Sequence, residues 1–189
     1  MKKIILFCSC FLFLMLASCA DKKTHTDPLT DFSNTISNSI GNVKNASIKC
    51  QMKEKDILVA ELEKTITITE STDDTYKGSA VVVKRMVGND FKFTEEKSTQ
   101  EWNSSKEELP SFSIKLDENS FSTHSIENGV LKATIKEEAI KYVLNVSDLK
   151  NKGAVQLEIV LKDDCISQLS INYETVSLRV VTIVSEYSY

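Results

Sequence analysis

Two histidines, five cysteines and several paired carboxylates are the residues of this 189-residue chain whose chemistry could be put to use. His124, in Ser122-Thr123-His124-Ser125, could act as a general base only with a partner to orient its ring. The hydroxyls around it read as a polar loop, and His25 lies in a charged linker. Asp73-Asp74 and Asp163-Asp164 stand between apolar-alternating runs, where Asp is favoured because it bonds its own backbone and tolerates left-handed geometry. Neither pair belongs to the D-x-D-x-D-G ladder of a calcium loop. The sequence has no G-x-S-x-G, phosphate-cradling glycine loop, H-E-x-x-H or C-x-x-C. No catalytic residue, metal ligand or cofactor is therefore assigned, and the expectation is a protein that is not an enzyme. With 23 basic against 27 acidic residues, the charge of −4 disfavours a general nucleic-acid binder.

The cysteines are more informative. Lys2 and Lys3 precede an apolar run from Ile4 to Ala17 broken only by Ser9. The run is short for a bilayer span, which needs about 20 apolar residues, and has the form of a secretory signal peptide. Its end, Leu16-Ala17-Ser18-Cys19, resembles the lipobox of bacterial lipoproteins. That resemblance implies cleavage before Cys19, a lipid on its thiol, and a body held on the outer side of a cell membrane or in an outer membrane. Two or three acyl chains make a stable anchor. Residues 1–18 are then the signal peptide and 19–26 the lipidated cysteine with a polar tether of about 25 Å. Without Lys2 and Lys3, 21 basic residues face 27 acidic ones, about −6. Cys50 and Cys165 remain as a candidate disulfide for an oxidising compartment; the alternative is two buried free thiols.

The elements that position these residues follow from periodicity. Asp27-Pro28 is a helix start, Asp as cap and Pro in the first turn. Leu29, Phe32, Ile36, Ile40 and Val43 trace one apolar stripe. From Ala46 the period falls to two. Leu58, Ala60, Leu62, Ile66 and Ile68 share one parity, and Tyr76 to Val87 is a second strand-like run. Phe91 and Phe93 open a third that continues to Trp102, and Phe112, Ile114 and Leu116 alternate as a fourth. Asn119 to Asn128 is largely polar; Lys136 to Leu144 fits a short helix. Val155–Leu161, Ile166–Thr175 and Val176–Tyr187 read as a three-stranded meander. The expected fold is mainly β within one globular domain over 27–189. One N-terminal amphipathic helix packs on a large curved antiparallel sheet or half-barrel of seven to nine strands.

This architecture resembles the lipoprotein carriers whose half-barrel holds acyl chains beneath helices, a resemblance of architecture without a matching motif. It implies a non-catalytic binder of a lipid or other apolar ligand. Leu29, Phe32, Ile36, Phe91, Phe93, Trp102 and Phe112 are the candidate lining of such a cavity. The competing expectation is a cell-envelope interaction or structural module, contacting a protein partner, with a solid core and an exposed apolar patch.

Overall fold

The computed structural model describes residues 27–88, 90, 92–106, 109, 113–146 and 149–189. The first helix, α1 (Pro28–Ser39), starts as its sequence dictates: the Asp27 carboxylate accepts from the Leu29 amide at 3.5 Å, with Pro28 in the first turn. Its outer face is intrinsically weak, since Thr35 and Ser37 turn their hydroxyls back onto the carbonyls of Asp31 and Ser33. Docking holds it instead: Leu29, Phe32 and Ile36 are buried against the sheet, and α1 lies against β8 (Cys165–Glu174). Ser39 closes the helix; its hydroxyl donates to the Ile36 carbonyl at 2.8 Å and accepts from the Ile166 amide at 3.5 Å.

The remaining strands are β1 (Asn45–Glu54), β2 (Ile57–Ser71), β3 (Thr75–Val87), β4 (Phe93–Ser105), β5 (Phe121–Glu127), β6 (Val130–Ile135), β7 (Val155–Lys162) and β9 (Arg179–Ser188). All nine form one antiparallel sheet in the order β4-β3-β2-β1-β9-β8-β7-β6-β5. The first and last strands pair at its centre, Ala46 opposite Tyr187 and Met52 opposite Val181. Two meanders are thereby joined, and β4 and β5 remain as open edges. The mainly β, helix-on-sheet architecture agrees with the sequence reading, and the sheet is not a closed barrel.

Turn chemistry sets the hairpins. Lys55-Asp56, Asn128-Gly129 and Asp163-Asp164 each place two successive residues at positive φ, the geometry of tight hairpin turns. The β1–β2, β3–β4 and β8–β9 turns share one end of the sheet, here the lower end, with the β6–β7 crossover. That crossover carries a short helix, α2 (Ile140–Leu144), preceded by a 3-10 turn at Glu137–Ala139, where a short helix was expected. The β2–β3, β5–β6 and β7–β8 turns lie at the upper end.

Two expectations change. Ile114 and Leu116 are not in a strand: they lie in the segment that carries the chain from edge strand β4 across to edge strand β5. The described part of that crossing joins no strand, although Lys115 donates its amide to the Val143 carbonyl at 3.0 Å; its alternation serves packing, and Ile114 and Leu116 rest half-buried on the core. Conversely the polar stretch after Asn119 is strand β5. Its polarity is what an unpaired edge requires to resist further pairing.

Candidate functional site

Cross-strand register arranges the inner face of β1–β4 in rows. Nearest the lower end, Met52, Ala60, Met86 and Thr94 lie side by side; next come Cys50, Leu62, Lys84 and Glu96; then Ile48, Lys64, Val82 and Ser98; then Ala46, Ile66, Ala80 and Gln100. The row of Ala46, Ile66 and Ala80 is buried in the core that α1 covers. Towards the lower end that cover runs out, leaving Leu62 41% and Met86 60% exposed. There Cys50, Met52, Ala60, Glu61, Leu62, Lys84 and Met86 line an open, almost wholly apolar trough of about 190 Å³. That is shallower than the roughly 300–1,000 Å³ of sites that engulf a small molecule. Burial pushes the Cys50 thiol up from its ordinary value, which favours the neutral thiol and suits it to an apolar wall.

Two amines overlook the trough. Lys84 stands in its wall, and Lys64 lies diagonally above with its ammonium 5.4 Å from the centre of the Trp102 ring. Neither has a carboxylate within ion-pair distance among the described residues.

The outer face of the same strands is polar and tightly tied. Gln51, Glu61, Arg85 and Glu95 are successive cross-strand neighbours. Glu61 is only 7% exposed. It accepts from Gln51 at 2.6 Å, pairs with Lys49 at 3.1 Å and takes an Arg85 guanidinium nitrogen at 2.5 Å. Arg85 also reaches Glu95 at 2.7 Å. The Gln51 hydrogen bond, then Lys49 and Arg85, hold the Glu61 carboxyl down at about 2, against the upward push of burial.

The residues expected to line a cavity fall into three groups. Leu29, Phe32, Ile36 and Trp102 are buried in a continuous cluster with Leu131, Ile159 and Leu169, so they fill the space beneath α1 rather than enclose it. Phe93 is 50% exposed at the start of edge strand β4 and joins no cavity with them. Phe91, Phe112 and Cys19 lie outside the described residues. Of the two alternatives for Cys50 and Cys165, the bridge does not form, and both thiols are free. Cys50 pairs with Ile183, and Ile183 with Ile171, six residues along β8 from Cys165. That offset is roughly 20 Å along the strands, where a disulfide needs Cα atoms within about 7 Å.

His124 stands exposed on β5, its ring 6.1 Å from that of Phe121, with no carboxylate bonded to it among the described residues. Asp163 and Asp164 form a hairpin turn, and Asp74 offers its carbonyl to the Lys106 amide. The residues missed were Cys50, Met52, Lys84 and Met86 as one surface. Their signal was the shared parity of Ala60 and Leu62, which had no partner strand until the register was known.

No family model matches the chain, and no curated protein matches it. Among solved structures it overlaps the redesigned β-barrel mFAP1 bound to DFHBI, at 8% identity and a TM-score of 0.23, over 82% of this chain and 98% of that one. It also overlaps a fluorescence-activating β-barrel designed de novo, at 6% identity and a TM-score of 0.22, over 81% and 99%. At this level of overlap neither likeness bears on what the chain does. Among the described residues no helix is long and apolar enough to cross a membrane.

Proposed function

We propose that the protein is an exported lipoprotein, anchored through a lipid on Cys19, that binds a lipid chain or another apolar ligand without transforming it. The observation that carries the binding part is the trough. Met52, Leu62 and Met86 keep apolar side chains on the inner face of the sheet where no element of the described structure covers them. Its small volume and open form suit a ligand that lies along the strands with one side exposed. The ligand reading thereby moves from beneath α1, where the core is filled, to the open half of the sheet. The anchoring part rests on the lipobox-like Leu16-Ala17-Ser18-Cys19.

Native mass spectrometry of the chain purified without denaturant tests the binding. The expected result is a bound apolar mass that disappears in Leu62→Gln/Met86→Gln. The anchor has its own test: the N-terminal peptide should carry the mass of a diacylglyceryl group on Cys19, and Cys19→Ala should release the body from membranes. A second reading is favoured by the solid core under α1, an envelope interaction module whose exposed apolar residues meet a protein. A bare mass from both proteins would decide for it.

A further inference from the structure

The large apolar side chains left exposed are not scattered. Among the described residues they are Ile57, Leu62, Met86, Phe93, Tyr142, Val176, Leu178 and Val180, and every one lies on the lower half of the sheet or in a connection at its lower end. Ile57 stands beside the β1–β2 turn, Met86 and Phe93 flank the β3–β4 turn, and Val176 and Leu178 form the β8–β9 turn. Tyr142 lies on α2 in the β6–β7 crossover, under the Lys115 ammonium at 4.9 Å. Ile57 and Val176 are 68% and 65% exposed, close to free in solvent.

Charge follows the same axis. Exposed lysines 53 and 55 on one lower hairpin, and 141, 150 and 152 on the crossover, stand among the apolar tips. Acidic neighbours there are Asp56, Glu118, Glu137, Glu138 and half-buried Glu174, while Glu54 is taken up by Arg179 at 3.0 Å and Asp90 by Lys92 at 3.9 Å. The upper turns lean acidic instead, with Asp73-Asp74, Asp163-Asp164 and Glu127 against exposed Lys44 and Lys162. In a chain of net charge −4, this end, with Lys115 over Tyr142 included, carries a small excess of lysines beside all of these exposed apolar side chains.

We propose that the lower end of the sheet docks onto the surface of an anionic lipid bilayer. Apolar tips beneath a belt of lysines are what an interfacial contact requires: the tips enter the headgroup region and the ammonium groups meet lipid phosphates. The tips sit on three separate hairpins rather than in one flat patch. A folded partner would need a separate pocket for each, whereas a fluid lipid layer receives them independently. The trough lies in the lower rows of the same sheet, so docking brings it near the lipid. The contact needs neither the lipid on Cys19 nor an occupied trough, and so goes beyond the function proposed above.

The test places a reporter at each end of the full chain. Val176→Trp and Asp73→Trp are each added to vesicles of brominated phosphatidylglycerol and phosphatidylcholine, with buried Trp102 as the common background. The expected result is strong quenching of the tryptophan at position 176 and little at 73. Quenching should fall when Lys53, Lys150 and Lys152 are reversed to Glu, in pure phosphatidylcholine, and at ~1 M salt, where the screening length is about 3 Å. Equal quenching at both positions overturns the proposal. If the chain nevertheless floats with the vesicles, its N-terminal attachment stands without the docking. A blue shift at position 176 that grows with protein concentration without vesicles would also overturn it, in favour of a second copy as the partner.

Discussion

Neutralising Glu61 by Glu61→Gln should cost stability at neutral pH and almost nothing in strong acid. The folded carboxyl sits at about 2 against an ordinary 4.5, a difference worth at most about 3 kcal/mol. Its partners are wet: the Lys49 side chain is 44% exposed and that of Arg85 33%. Solvent screening therefore brings the expected cost nearer 1–2 kcal/mol, to order of magnitude. The sign follows from a depressed folded pKa. The contribution is complete above about pH 4.5 and disappears as pH falls towards 2, because only then does the folded state take up the proton the unfolded chain already holds.

Urea unfolding of parent and variant, followed by far-UV circular dichroism from pH 7 down to pH 3, measures this directly. With a slope of about 1–3 kcal/mol per molar, the midpoints should differ by roughly 0.5–1 M at pH 7 and by well under half of that at pH 3. An unchanged gap at pH 3 would refute the electrostatic account, because a lost contact of shape alone does not titrate. No gap at pH 7 would refute the ladder as a stabilising feature.

Three other substitutions or titrations are equally specific. Gly78→Ala sets a methyl against the Thr67 carbonyl of the neighbouring strand, so backbone must shift, and thermal denaturation should show a loss of about 2–3 kcal/mol. Ser185→Ala removes a fully buried hydroxyl without a hydrogen-bond partner among the described residues; calorimetry should find it neutral or stabilising by up to about 1 kcal/mol. Burial pushes the Tyr76 and Tyr189 phenols up to about 12, so their phenolate absorbance should appear late in an alkaline titration. Because these folded values are raised, the stability they confer is whole below about pH 10 and is lost as pH climbs towards 12.

Local signals in the sequence reached as far as local physics does. Asp27-Pro28 and the stripe of Leu29, Phe32 and Ile36 specify α1, and Asp163-Asp164 marks a turn, because caps, stripes and turns are settled within a few residues. Register was not legible. It depends on β1 pairing with both β2 and β9, and Asn45 and Ser188 are 143 residues apart in the chain. Without it Cys50 and Cys165 looked available to each other, although they lie on different strands and at different heights. Ile114 and Leu116 misled for a related reason. Alternation records which side chains face the core, and a covering segment needs that as much as a strand does.

Element lengths explain why part of the inner face stays bare. Nine strands span roughly 38 Å, while a helix with its side chains is about 10–12 Å across. Strands β5, β6 and β7 have 7, 6 and 8 residues, but β2, β3 and β4 have 15, 13 and 13. A sheet with an uncovered overhang ought to become polar there, and β4 does, placing Thr94, Glu96, Ser98 and Gln100 in the inner rows. Strands β1, β2 and β3 do not, keeping Met52, Ala60, Leu62 and Met86 in those rows. Stability cannot be what retains them: side chains as exposed as Leu62 and Met86 contribute little to a core, and their replacement by Gln should move unfolding by no more than about 0.5 kcal/mol each. A large destabilisation would show that they belong to the core after all. Intact stability together with loss of the bound apolar mass would show that these residues are kept for what the surface binds.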